Sequence, residues 1–267
     1  MKTSRILPVF ALVLSASVLT GCSDDPMSTP IEETTTTVVE SAEPSSKEPT
    51  EGPSEEDLTA YFSAIASNDP DEINGVVDLT ASGSLAESYA IYFGAVNQAS
   101  RDYGMPSDES NLSETEDGFE ICPDVVTDDD PCVEYTNLKH DGDKLASFEV
   151  NGNSLDDRIS VGDGEAQELG TLGSATFIAA YKSVAGNLVV VFDVRSQADG
   201  LWVDATYTAL DGRQAQATMS VGPTSLSNGN FGTMAFNFEG AEVGGIVTLT
   251  PWSDSVYDSE GVDFATN

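Results

Sequence analysis

Three cysteines, one histidine and many carboxylates are the residues of this chain with chemistry to offer. A serine or cysteine nucleophile needs a base beside it, and His140 is the one imidazole available. It stands in Lys139-His140-Asp141-Gly142-Asp143, a polar run of the kind that turns a hairpin, so it is expected exposed in a turn rather than in a cleft. No G-x-S-x-G, S-x-x-K, G-x-x-x-x-G-K or H-E-x-x-H motif occurs, and a zinc site needing two or three histidines cannot be built within one chain. No catalytic residue is therefore assigned, and an enzyme is the less favoured reading. The acids offer calcium chemistry instead. Asp128-Asp129-Asp130, Asp141 with Asp143, Asp156-Asp157, and Asp163 with Glu165 place hard oxygen donors in loops, where calcium sites are built. None follows the EF-hand loop pattern. Calcium held by Asp128, Asp129 and Asp130 is the one metal expectation, no other cofactor is implied, and solvated acidic loops are the alternative. A carboxylate pair for glycoside hydrolysis is a second possible use of the acids. The acidic clusters fall in turns and tails, however, and 8% aromatic content gives no evident sugar-stacking stripe.

The N-terminus explains one cysteine. Lys2 and Arg5 precede an apolar run from Ile6 to Leu19, too short to cross a hydrocarbon core of about 30 Å as a helix but matching the order of an export signal. Leu19-Thr20-Gly21-Cys22 follows, and this resembles the lipobox of bacterial lipoproteins. The resemblance implies cleavage before Cys22 and attachment of a diacylglyceryl group to its thiol, commonly with a further acyl chain such as palmitate on the amine. Two or more acyl chains give stable membrane anchoring where one is marginal. An ordinary signal peptide with an incidental cysteine is the alternative. If Cys22 carries lipid, Cys122 and Cys132 remain as a pair in a compartment where disulfides persist, separated by the nine residues PDVVTDDDP. That spacing excludes a CxxC redox or metal motif.

From Ser23 to Glu56 the composition changes: of 34 residues, 12 are Ser or Thr, 5 are Pro, 10 are Asp or Glu, and none is aromatic. Such a segment has too little apolar surface to offset the entropy of ordering, so 22–56 reads as a lipidated cysteine with a disordered tether. Its mean span would be about 30–35 Å at about 5–6 Å × √n. Long tethers of this composition resemble those of Gram-positive, particularly actinobacterial, surface lipoproteins.

The body that follows must hold whatever site exists, and its fold class is expected to be α+β. Ser54 caps a helix whose apolar stripe is Leu58, Tyr61, Phe62 and Ile65. Asp69-Pro70 opens a short second helix, and Ser84 with Glu87 caps a third whose buried face is Leu85, Tyr89, Tyr92, Phe93 and Val96, ended at Gly104-Met105-Pro106. From Gly118 the period becomes that of strands, with Phe119 to Val125 and Val133 to Leu138 flanking the cysteine pair. The region 57–165 thus reads as helices plus a disulfide-stapled hairpin. The helical opening is similar to that of NTF2-like domains, which would imply a curved sheet with a cavity. The region 166–252 supplies evenly spaced strands and resembles an immunoglobulin-like β-sandwich in architecture. Asn187 to Arg195, apolar on both faces, is its expected central strand. Residues 253–267 read as a loose acidic tail.

Ten Lys and Arg against 46 Asp and Glu give a net charge of -36. This excludes a nucleic-acid partner, which would need a basic footprint. The expected function is a membrane-anchored protein on the extracytoplasmic face of the cell envelope, with a non-catalytic binding or structural role toward an envelope protein, glycan or small molecule. The alternatives are a hydrolase of envelope polymers or an accessory subunit of a transporter or sensor.

Overall fold

A computed structural model describes residues 52–127, 131–255 and 260–267. Cys22, the tether up to residue 51 and the candidate calcium ligands Asp128, Asp129 and Asp130 lie outside the described residues.

The polypeptide is α+β, with helices first and antiparallel strands after. The helix signals act where the residues predict. Ser54 caps α1 (Glu55–Ser67), its Oγ accepting from the Asp57 N–H at 3.1 Å. The left-handed Asn68 (φ 55°) ends α1, and Asp69 caps α2 (Pro70–Gly75), with Pro70 at a position whose N–H would be spare in any case. Ser84 caps α3 (Leu85–Asp102) through the Glu87 N–H. None of these helices is long and apolar enough to cross a membrane.

The first sheet is a meander of β1 (Asn111–Glu114), β2 (Gly118–Cys122), β3 (Val133–Asp141), β4 (Lys144–Val150) and β5 (Asn153–Ser154) in sequence order. Two details correct the expectations. β2 stops at Cys122 instead of reaching Val125, because Pro123 has no N–H for the ladder, and Val125 is left 73% exposed. β3 runs on to Asp141, so His140 is an exposed strand residue, and the turn is only Gly142-Asp143 with Gly142 at φ 60°. Glycine at the first loop position with positive φ is the type II′ hairpin requirement.

The remaining strands are β6 (Ile159–Val161), β7 (Ala166–Glu168), β8 (Gly173–Lys182), β9 (Asn187–Ser196), β10 (Trp202–Thr208), β11 (Gln214–Gln216), β12 (Met219–Val221), β13 (Phe231–Glu239), β14 (Ile246–Trp252) and β15 (Val262–Ala265). They form two antiparallel sheets, one ordered β12-β13-β9-β8-β6 with β7 also on β8, the other β11-β10-β14-β15. Leu188, Val190, Phe192 and Val194 of β9 meet Ala205, Tyr207, Val247 and Leu249 across the gap, which makes a β-sandwich. The other face of β9, with Val189 and Val191, meets the helical layer. A central strand apolar on both sides needs cover on both sides, and here it has it. In β8 a bulge between Phe177 and Ala179 changes the parity. Ala175, Phe177 and Ala180 face the sandwich, while Ala179 and Tyr181 face the helices.

The helical layer packs on the first sheet as well as on the back of β8, β9 and β13. Residues 47–267 consequently form a single compact unit. The expected boundary at 165/166 does not separate two bodies, since β6 pairs with β8 across it. The expected loose tail is likewise corrected in part. β15 pairs with β14, Phe264 is buried against Phe192 with ring centroids 5.0 Å apart, and Thr266 Oγ1 donates to the Gly245 carbonyl at 3.0 Å. Phe264 is the apolar residue that two-residue alternation of Val262 and Phe264 would have sent inward.

Candidate functional site

The cysteine pair sits at the loop end of the β2–β3 ladder. Ile121 pairs with Val133, and the next residues outward, Cys122 and Cys132, are disulfide-bonded with Cα atoms 4.2 Å apart. Further in, Phe119 faces Tyr135 across the ladder. At the far end Gly118 allows close approach, since a Cβ there would stand 2.0 Å from the Tyr135 carbonyl oxygen. The hairpin is thus pinned at both ends around Tyr135.

Over the same face of the hairpin lie α1 and α3, and between them opens a cavity of about 560 Å³. That is within the range of small-molecule pockets. Its floor is Ile65, Tyr89 and Phe93 from the helices and Ile121, Val133 and Tyr135 from β2–β3. Its rim is Asp108 and Glu109 from the α3–β1 connection and Asp124 beyond the disulfide. The connection is held across the end of α1 by three hydrogen bonds. Asn68 Nδ2 donates to the Asp108 carbonyl at 2.7 Å and to Ser110 Oγ at 3.3 Å, and the Ser110 N–H donates to the Ala66 carbonyl at 2.8 Å. On the opposite rim, Asn111 Nδ2 donates to Asp124 Oδ1 at 3.0 Å.

Tyr89 and Tyr135, 4% and 2% exposed, share one hydrogen bond between their hydroxyls at 3.1 Å. Burial raises both phenol pKa values well above the ordinary value, with each ring's proximity to the other and to Tyr181 adding to it for Tyr89. Both therefore stay protonated and act as hydrogen-bond donors, not as bases. One proton of the pair is used in the shared bond, which leaves the other free to meet an acceptor.

A second, smaller cleft of about 260 Å³ lies at the edge of the sandwich between β10 and β12. Trp202 and Trp252 face each other in the β10–β14 register and stack with centroids 4.6 Å apart and an interplanar angle of 13°. The Trp252 Nε1–H donates to Asp204 Oδ2 at 3.0 Å, and the half-exposed Tyr103 from the end of α3 closes the side. Trp202 alternates with Leu201, Val203 and Ala205 along its strand, and strand register brings it to Trp252, 50 positions on.

The other expected chemistry is dispersed. His140 packs its ring edge on Gly52, whose added Cβ would come within 3.2 Å of the imidazole Cδ2. Among the described residues the one close group of potential metal ligands is Glu120, Cys122 and Cys132, and its two sulfurs are spent in the disulfide. Asp156 and Asp163 are tied into local turns, through Ser154 Oγ and the Glu165 N–H respectively. Asp102 and Asp193 meet at Thr233, one accepting its N–H at 2.8 Å and the other its hydroxyl at 2.7 Å, an arrangement that fastens α3 to β13. No family model, curated protein or solved structure matches this chain.

Proposed function

We propose that this chain is a lipid-anchored extracytoplasmic protein whose body binds a small molecule, without catalysing its conversion, in the cavity between α1, α3 and the β2–β3 hairpin. The anchoring half of the reading is supported by the order of Lys2 and Arg5, the apolar run Ile6 to Leu19, and Leu19-Thr20-Gly21-Cys22 ahead of an acidic tether. The observation that carries the binding half is the cavity itself. It is a cleft of about 560 Å³, open to solvent on one side and of small-molecule size, walled by residues of both helices and of the hairpin. Beside it lie the Cys122–Cys132 disulfide, the hydrogen bond from Asn68 Nδ2 to the Asp108 carbonyl and that from Asn111 Nδ2 to Asp124 Oδ1.

Anchoring is tested by growing cells expressing the chain with an alkyne analogue of palmitate. The wild-type chain is expected to take up label and fractionate with membranes. Cys22→Ser is expected to lose the label and appear in the medium or soluble extract. Label retained by the variant, or absent from both, would overturn lipidation at Cys22.

A further inference from the structure

We infer that the cleft between β10 and β12 is a site for a neutral sugar, a pyranose whose adjacent equatorial hydroxyls bond the backbone of Val203 and whose C–H face lies on the neighbouring aromatic rings. This site is separate from the cavity between α1, α3 and the β2–β3 hairpin, and the inference does not rest on that reading. One edge of β10 pairs with β14; the other carries β11 over Thr206 to Thr208 and borders the cleft at Trp202 to Asp204. On this second edge Leu201 exchanges both its backbone bonds with Leu226, each 2.9 Å, and the Ala205 carbonyl accepts from the Ala217 N–H at 3.1 Å. Residues two apart on a strand direct their N–H and C=O to the same edge, so those of Val203, between Leu201 and Ala205, point there too. No strand stands opposite them, and among the described residues no backbone group bonds Val203 from this side. One residue thus presents a donor and an acceptor side by side to the cleft, where backbone groups seek a partner.

The surroundings of this gap fix the class of guest. Leu226 closes it on one side and Ala217 on the other, so it admits one donor–acceptor pair and not an extended peptide strand. The matching pair must sit on neighbouring carbons, as N–H and C=O do around a strand Cα. Two adjacent equatorial hydroxyls of a pyranose have that spacing, one donating to the Val203 carbonyl and the other accepting from its N–H. Beside the gap stand the 45% exposed Tyr103 and the partly exposed Trp202 and Trp252, brought together by register although the sequence holds no aromatic stripe. The C–H bonds on one side of a pyranose are weakly positive and suit the electron-rich faces of such rings. Asp204 uses Oδ2 to hold the Trp252 Nε1–H, which leaves Oδ1 to accept from a further hydroxyl. No Lys, Arg or His lines the cleft, so an anion would meet Asp204 and the field of an acidic chain, while an ammonium ion would meet the Val203 N–H. At about 260 Å³ the space lies just under the roughly 300–1,000 Å³ of drug-sized pockets, which suits one sugar ring.

The test titrates cellotriose into the isotope-labelled full mature chain in lauryldimethylamine oxide micelles, a detergent without a sugar headgroup, and follows amide and indole NMR signals. Cellotriose is expected to bind at millimolar concentration and to shift the Val203 amide and the Trp252 indole N–H. Val203→Pro removes the N–H that faces the cleft and spares the bonds to β14, and is expected to weaken cellotriose about tenfold. Tyr103→Ala is expected to weaken it about fivefold. If circular dichroism shows Val203→Pro to be unfolded, the Val203 shift in the unchanged chain decides. Acetyl-triglycine amide, which carries N–H and C=O at the same spacing but no ring, is expected to leave Val203 unmoved. Binding of the peptide at Val203, full affinity of cellotriose for a folded Val203→Pro chain, or no binding of cellotriose at millimolar concentration would each overturn the inference. Shifts confined to Ile65, Phe93 and Ile121 would overturn it too and place the sugar in the other cavity. The two clefts share no lining residue, so failure here leaves the binding reading above standing.

Discussion

Tyrosine is the residue on which the core of this protein turns. Tyr61, Tyr89, Tyr92 and Tyr135 are buried among each other and among Phe62, Phe119 and Phe148, with edge-on and stacked ring contacts throughout. Aromatic pairs of this kind contribute about 0.5–1.5 kcal/mol beyond the area they bury. Burial raises the pKa of all four phenols above the ordinary value of 10, so the folded chain holds their protons when the unfolded chain has released them. The sign follows directly. Below pH 10 these groups are neutral in both states and exert no pH dependence; above it, stability falls by about 1.4 kcal/mol per pH unit for each phenol. Alkaline titration should therefore show the phenolate absorbance of these tyrosines rising together with loss of circular dichroism. Reversible ionisation of all eight tyrosines in a chain that keeps its native spectrum would show the core phenols to be accessible. The helical spacing of Tyr61 and Phe62 on α1 and of Tyr89, Tyr92 and Phe93 on α3 made this burial legible in the sequence, since a helix face lined with aromatics has to be covered. That two of them, Tyr89 and Phe93, also border a cleft was not legible from their spacing. Spacing tells which side is inward but not whether the opposite wall reaches it.

At the scale of elements, legibility depended on whether the signal was local. The caps Ser54, Asp69 and Ser84 and the turn glycine Gly142 act through neighbours within a few residues, and each stands where local chemistry predicts. Strand β9 was recognisable as central because seven residues from Asn187 through Asp193 leave only the two ends polar. The pairing of Trp202 with Trp252, and of β15 with β14, depends instead on register between distant segments, which composition does not encode. The β2–β3 hairpin combines both kinds of information, since the cysteines announce a link and the ladder explains its place. Closing the loop between Cys122 and Cys132 is worth about 3 kcal/mol through restriction of the unfolded chain. Reduction, or the paired change Cys122→Ser and Cys132→Ser, is expected to lower the urea midpoint by that equivalent with little change in slope. Hydrogen exchange should rise first at Ile121, Val133 and Tyr135, the hairpin side of the cavity. An unchanged midpoint would mean that the ladder and the helices hold the hairpin without the bond.

Across the whole molecule, charge and construction pull in opposite directions. Residues 57–267 carry 36 acidic side chains against 7 basic ones, yet they close around two apolar cores that meet at the β8, β9 and β13 sheet. Among the described residues three cations are paired with carboxylates, so most of the acid is unneutralised and repels itself in the compact state. Repulsion of this kind is weakened once the screening length falls to about 8 Å near 0.15 M salt, whereas burial of the cores is scarcely affected at that concentration. The melting temperature is therefore expected to rise by several degrees between low salt and physiological sodium chloride, then to level off. A flat profile would mean that the folded surface spaces its charges far enough apart for solvent alone to screen them. Calcium chloride at matched ionic strength separates this general effect from a specific one. Screening alone raises the melting temperature to nearly the same extent with either salt, while a site at the Asp128-Asp129-Asp130 segment binds the folded state and adds a further rise that grows with calcium concentration. The comparison assigns the acidity of the chain either to its surface as a whole or partly to a calcium site at Asp128-Asp129-Asp130.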